Sequence, residues 1–367
     1  MEQRESTLEG MAKMKTSELA DFYKGKRVLI TGHTGFKGTW LCRILLHFGA
    51  DVIGFALPAE SGQLFALSDT GSDVRSYHGD VADLAALKDV FEREKPEIVF
   101  HLAAQTLVRL SYEKPAETYL TNVMGTVNVL ECIRTSDSVA SCVNVTTDKV
   151  YENKEWIWGY REDERLCGRD PYSNSKSCSE LVTYSYMRSF FDKNENLSVS
   201  TARSGNVIGG GDYAKDRIIP DCIRAAASGL PIIVRNPHST RPYQHVLECL
   251  YGYLLLGAQQ YGNKMLSGHY NFGPDEESCV TTGQLVELFC TLWGDNASWI
   301  NKSDNGPHEA SFLRLDNTKS KRMLDWYPNW TISAAVEQTI SFTKRKMSGD
   351  RVSAIMEDQI RDFFASK

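Results

Sequence analysis

Along the first two hundred positions of this 367-residue chain, short runs rich in Val, Ile, Leu and Phe alternate with longer stretches whose apolar residues fall three to four positions apart. The short runs, at 26–30, 51–56, 74–78, 98–103, 142–146 and 197–202, predict six strands. The longer stretches predict helices over 36–48, 84–94, 115–133 and 172–191, the third with Pro115 near its start. Strands alternating with helices mean βαβ units, a parallel sheet covered on both faces, and right-handed crossovers. The fold expected is α/β, an open doubly wound, Rossmann-like parallel sheet. After residue 206 the rhythm breaks into short segments separated by turn clusters such as Gly209-Gly210-Gly211 and Gly229-Leu230-Pro231. We read 1–24 as an N-terminal tail with at most a short helix and 25–205 as the doubly wound domain, to which the chain returns later. Residues 206–367 are read as mainly a smaller, mixed α/β lobe.

Charge removes several classes of function. With 41 Lys and Arg against 47 Asp and Glu, the net charge is −6, so no nucleic-acid partner is expected. Mean hydropathy is −0.34, and no apolar run approaches the ~20 residues that span a bilayer, so no membrane partner is expected. The first 19 residues are polar, without the apolar core of a secretory signal. Nine cysteines lie scattered with no C-x-x-C pair, which predicts neither a disulfide framework nor a metal site and points to a reducing cytoplasm.

The first predicted strand runs into Thr31-Gly32-His33-Thr34-Gly35-Phe36-Lys37-Gly38, with glycines spaced G-x-x-G-x-x-G before the first helix. Gly32 permits the tight turn, Gly35 lets amides approach a pyrophosphate, and Gly38 lets helix and strand pack closely. The helix N-terminus offers its free N–H groups to the anion. The acid expected some 20 residues on is missing, because the second strand runs into Ala56-Leu57-Pro58. That predicts weak adenosine binding and leaves the cofactor preference open. Lys37 and Arg43 are candidates for a 2′-phosphate or, more simply, surface charges. Asp80 is a candidate for the adenine or for a helix cap.

Tyr172-Ser173-Asn174-Ser175-Lys176 places Tyr and Lys at i and i+4, on one helix face. An ammonium there favours the phenolate and is expected to lower the tyrosine pKa, so that Tyr172 accepts an alcohol proton. Thr147 and Asp148 end the preceding strand, at the edge where such sheets bind ligands.

With the glycine loop, His101-Leu102-Ala103-Ala104-Gln105, Thr147-Asp148 and Tyr172-x-x-x-Lys176 together, the sequence resembles the extended short-chain dehydrogenase/reductases. The stretches Gly32–Gly38, Thr147–Trp156 and Arg241–Glu248 resemble the CDP-glucose 4,6-dehydratase branch. The resemblance implies NAD as cofactor, contacted by Gly32, His33, Gly35, Phe36, Lys37, Gly38, Asp80, Val81, Leu102, Ala103, Ala104, Gln105, Tyr172 and Lys176. It implies oxidation at C4, loss of water across C5–C6 and return of hydride to C6. Tyr172 would take the C4 proton, Thr147 would bond the C4 oxygen, and Asp148 would protonate the departing C6 hydroxyl. That last role requires a pKa raised by burial. Sister dehydratases carry Glu after this Asp, viewed as the C5 base. Here the position is Lys149, which serves either as that base or to position substrate or cofactor.

A nucleotide-sugar substrate brings a diphosphate, for which Arg217, Arg235 and Arg241 are candidates, with Asn206 at the matching family position. His245 is read as structural. Alternatives are a nucleotide-sugar 4-epimerase, a dehydratase of another nucleotide sugar and, remotely, a non-catalytic NAD sensor. The helices around 119–133 and 181–191 are apolar on more than one side, which predicts a homodimer or a dimer of dimers.

Overall fold

The computed structural model describes residues 14–302 and 311–367. Its centre is a seven-stranded sheet: β1 (Arg27–Thr31), β2 (Asp51–Ala56), β3 (Arg75–His78), β4 (Ile98–His101), β5 (Ser141–Val145), β6 (Ser198–Ser204) and β7 (His269–Phe272). The spatial order is β3-β2-β1-β4-β5-β6-β7, with every pairing parallel. This is the expected doubly wound sheet, and its order reverses beside β1, where β4 pairs on the side opposite β2. Alternate side chains serve opposite faces. In β1, Val28 and Ile30 join one apolar cluster while Leu29 joins the other.

Among the described residues, ten helices of eight residues or more serve as landmarks: α1 (Thr16–Tyr23), α2 (Phe36–His47), α3 (Leu84–Glu94), α4 (Gly125–Arg134), α5 (Pro171–Tyr186), α6 (Ile218–Ala227), α7 (Val246–Gln259), α8 (Thr282–Trp293), α9 (Ile332–Met347) and α10 (Val352–Ala365). One sheet face carries α1, α2, α7 and α10; the other carries α3, α4 and the end of the α5 rod. Of the two long helices expected, 115–133 is interrupted by a π-turn at Leu120–Met124, and 172–191 ends in one at Met187–Phe191. Around Ile219, Val234, Leu285, Phe289 and Val336 a separate apolar cluster builds the smaller lobe from α6, α8, α9 and two short parallel strands, Ile232–Val234 and Trp299–Asn301.

The expected tail needs correction. Residues 1–13 lie outside the described residues, but α1 is part of the core: Leu19 and Tyr23 are fully buried, and the Tyr23 hydroxyl donates to Leu254 O at 2.8 Å. Likewise α7, β7 and α10 return from the second half of the chain to the sheet. Helix α7 is buried along nearly its whole length, as a helix apolar all round must be.

Candidate active site

At the C-terminal edge of the sheet a cleft of ≈ 1460 Å³ runs from the glycine loop to the smaller lobe. The loop's shape is fixed by sterics. Gly32 has φ +74°, and a Cβ there would stand 2.7 Å from the Ala103 nitrogen. A Cβ on Gly38 would stand 2.2 Å from Gly32 O. At Gly35 the nearest atom to such a carbon is Gly32 O at 3.4 Å, so this face is open, and no side chain caps the N-terminus of α2. A turn closed at both ends, open at its middle and followed by uncapped N–H groups fits a dinucleotide pyrophosphate. Phe36, Lys37, Asp80, Val81, Leu102, Ala103 and Ala104 line the same end.

Two expected cofactor contacts do not line the cleft. His33 is fully buried behind the loop, its Nε2 2.6 Å from Ser76 Oγ, and burial lowers its pKa to about 4. It fills the space that the missing side chain of Gly54 leaves. Gln105 pins the following loop instead: its Nε2 donates to Leu107 O and Thr118 Oγ1, and its Oε1 accepts from Leu107 N at 2.6 Å. Asp80 is exposed, and the cap of α3 is Asp83. Directly after β2 the described residues at the cleft are Ala56 and the exposed Leu57, with no carboxylate between them and Asp80. Arg43 pairs with Asp73 at 2.9 Å. Lys37 is neither a surface charge nor aimed at a 2′-phosphate. Its Nζ donates to Ser204 Oγ at 2.9 Å at the end of β6, and burial lowers its pKa.

The middle of the cleft holds the sequence candidates together. A short turn, Asp148–Val150, follows β5, and Thr147 Oγ1 donates to Asp148 Oδ1 at 3.0 Å. Helix α5 starts at Pro171 with Asp170 as its cap, Ser173 N donating to Asp170 Oδ1 at 2.9 Å. Tyr172 and Lys176 therefore leave the first turns of α5 toward the end of β5. Tyr172 stands beside the Thr147 side chain, which counters part of the pKa rise that burial causes. Lys176 Nζ donates to Val145 O at 2.9 Å.

Asp148 is 1% exposed, and its Oδ2 has no hydrogen-bond partner among the described residues. Burial raises its pKa against the opposing pull of Lys149, Arg241 and Lys37. The tyrosine behaves otherwise than expected. Burial pushes Tyr172 up to about 12, while Lys176 is itself lowered to about 8. The reason is that Lys176 is committed to a strand carbonyl in the same dry pocket, so desolvation outweighs its effect on the phenol.

Behind these groups lies a support that sequence reasoning missed. Glu180, one turn beyond Lys176, is fully buried and grips Arg203 through Nε at 2.9 Å and Nη2 at 2.8 Å. It also accepts from Thr146 Oγ1 at 2.5 Å and Thr201 Oγ1 at 2.7 Å, so it ties α5, β5 and β6 together. The readable signal was its i+4 spacing from Lys176.

On the lobe side Asn206, Arg217, Arg235 and Arg241 all line the cleft. Arg217 pairs with Asp212 at 2.8 Å and Arg235 with Asp216 at 2.9 Å, while Arg241 is 6% exposed and donates to Thr240 O at 3.0 Å. Arg109, also missed, lines the same wall. His245 is structural, as read: buried, with Nδ1 accepting from Leu247 N at the start of α7.

Residues 29–339 match the family model described as GDP-mannose 4,6 dehydratase. The chain belongs to this family. Among its relatives, CDP-glucose 4,6-dehydratase of Salmonella typhimurium is 45% identical over 353 residues, covering 94% of this chain and 98% of that one. The dTDP-glucose 4,6-dehydratase of Haemophilus influenzae is 25% identical, covering 86% and 97%. Solved structures share the fold. UDP-glucose 4-epimerase from Thermotoga maritima with UDP-glucose aligns at TM-score 0.77 and 23% identity, over 87% of this chain and 99% of that one. The dTDP-glucose 4,6-dehydratase from Bacillus anthracis in complex with NAD aligns at 0.74 and 21% identity, over 88% and 98%. Among the described residues no helix of this dehydratase-family chain is long and apolar enough to cross a membrane, and no cluster of His, Cys, Asp and Glu suits a metal.

Proposed function

We propose that the chain is an NAD-dependent 4,6-dehydratase that converts CDP-glucose to CDP-4-keto-6-deoxyglucose and water. The observation that carries this reading is Asp148: a buried carboxyl with a raised pKa and an unpartnered oxygen, beside Thr147 and Tyr172. An enzyme that only inverts C4 needs no such acid. The cofactor, when bound, supplies the two-electron acceptor at C4 and the donor at C6. Its pyrophosphate belongs against Gly32, Gly35 and Gly38, and Lys176 is assigned to the nicotinamide ribose.

Tyr172 takes the C4 hydroxyl proton, and Thr147 orients the C4 oxygen. The C4 ketone acidifies C5–H. As that proton passes to water in the cleft, Asp148 protonates the C6 hydroxyl, which departs as water and leaves a C5–C6 double bond. Reduction at C6 and return of a proton to C5 complete the product. Only the phenolate can take that proton, and a phenol near 12 is scarcely ionised at neutral pH. The site therefore relies on the neighbouring Lys176 cation to stabilise the tyrosinate, and an oxidised nicotinamide, when bound, would add positive charge. Lys149 lines the cleft beside Asp148, and we assign it to holding substrate near C5. The arginines at 217, 235 and 241 are assigned to the diphosphate.

The test is the product. Incubation with CDP-glucose and NAD should give a sugar that has lost water and gained a C6 methyl group. A product of unchanged mass, inverted at C4, supports the epimerase instead.

We further assign a symmetric homodimer, or a dimer of such dimers, to the α4–α5 face. Leu120, Met124, Leu181 and Phe190 are 51, 45, 54 and 52% exposed there. A second copy of the same helices would cover them. Leu181→Arg should halve the mass seen by light scattering; a monomeric wild type at micromolar concentration refutes the assembly. The nine free thiols support a cytoplasmic setting.

A further inference from the structure

The end of the cleft on the smaller lobe presents exposed apolar side chains. Ile233 is 52% exposed and lines the cleft. Its register partner on the neighbouring strand, Ile300, is 46% exposed. Paired residues of adjacent strands share a sheet face, so the two form an apolar shelf. Beside it the first turn of α6 brings Ile219, Pro220 and Asp221 to the cleft wall.

A nucleotide sugar with its sugar at Tyr172 and Asp148, and its diphosphate under the arginines, would run along this one cleft toward the shelf. A flat pyrimidine ring suits the exposed isoleucines. The polar groups around it decide which pyrimidine. Asp216 is engaged by Arg235 at 2.9 Å and Arg109 at 3.8 Å. Asp221 is different. Its Oδ1 accepts from Arg224, whose guanidinium is also held by the carbonyls of Tyr213 at 3.2 Å and Ala214 at 3.3 Å. Its Oδ2 takes no hydrogen bond from a described residue. The carboxylate is thus fixed at one oxygen, while the other is left to accept.

We propose that Asp221 selects the base: its free carboxylate oxygen accepts a hydrogen bond from the exocyclic amino group of cytosine. Arg224 is the positioning residue that orients it. The inference rests on the nucleotide-sugar reading above and deepens it. Cytosine presents an N–H donor at C4, whereas uracil and thymine present a carbonyl oxygen at that corner. An ionised carboxylate attracts the first and repels the second. The device is one of rejection as much as attraction, because a uracil carbonyl would strip water from the acid and give it nothing back.

The test measures binding of CDP and UDP to the NAD-loaded protein by calorimetry, in wild type, Asp221→Asn and Asp221→Ser. NAD affinity serves as the fold control. Wild type should prefer CDP by about ten- to a hundredfold, the range for a hydrogen bond to a charged group. In Asp221→Asn the amide can donate to the uracil oxygen, so the CDP:UDP ratio should fall at least about tenfold, with UDP binding improved. Asp221→Ser should also lose the preference. A 4-deamino analogue of CDP should bind wild type about tenfold more weakly than CDP, and bind Asp221→Asn with much less difference. An unchanged CDP:UDP ratio in both variants overturns the role of Asp221 while leaving the dehydratase reading intact. Equal weakening of both nucleotides overturns it too, since that marks a purely structural effect. A wild type without preference for CDP overturns the cytidine reading itself.

Discussion

Replacing Asp148 by Asn separates the two halves of the proposed reaction. The substitution conserves shape, and the amide oxygen can still accept the 3.0 Å hydrogen bond from Thr147. What it removes is the proton that the departing C6 hydroxyl needs. Loss of a positioned general acid costs about 10²–10⁴-fold, or about 2.7–5.4 kcal/mol of barrier at ~1.36 kcal/mol per tenfold. Oxidation at C4 uses Tyr172 and Thr147 and should proceed. In rapid mixing with CDP-glucose, the Asn variant should therefore accumulate reduced nicotinamide and a 4-ketohexose in one turnover, whereas Tyr172→Phe should show neither. The raised pKa supplies an independent check with a definite sign. The folded state holds the Asp148 proton more tightly than the unfolded chain, whose carboxyl has the ordinary value of 3.8. Wild-type stability relative to the Asn variant should thus be greatest at or below pH 3.8 and fall as pH rises through the shifted pKa. Equal loss of oxidation and elimination in Asp148→Asn, with no build-up of reduced cofactor, would refute the assignment of Asp148 as the acid.

Three further outcomes are expected. Gly38→Ala places a methyl carbon 2.2 Å from Gly32 O, so NAD affinity by fluorescence titration should fall at least about tenfold, the equivalent of ~1.4 kcal/mol. Glu180→Gln leaves the Arg203 guanidinium buried without its counter-ion; denaturant titration should show about 3–5 kcal/mol of lost stability, the usual cost of breaking a buried pair. Lys176, lowered to about 8 against 10.5 unfolded, should make stability rise with pH between those values relative to Lys176→Met, and level off above them.

Much of this was legible because the doubly wound sheet writes its signals locally. The second strand, 51–56, and the helix 84–94 coincide with their observed bounds, since each is bracketed by turn residues or a capping Asp. The glycine loop was readable for the same reason: its constraints act within eight residues. The misses came from contacts between distant segments. Nothing in residues 16–23 alone shows that Tyr23 reaches Leu254. The turning of Lys37 toward Ser204, 167 positions away, is a tertiary fact. His33 and Gln105 sit in the right motifs, yet their side chains are spent on neighbours at the back of the loop. The pKa of Tyr172 was misjudged because helical spacing conveys the charge of Lys176 but not the desolvation that both groups share.

The most direct test follows a label through the whole cycle. CDP-glucose carrying deuterium at C4 is incubated with the protein and NAD, and the product is examined by NMR. The dehydratase account predicts a 4-keto-6-deoxy sugar whose C6 methyl group carries the deuterium, because the hydrogen taken from C4 is the one returned to C6. Deuterium found at C4 of an intact hexose, or a keto sugar that still bears its C6 hydroxyl, would contradict it.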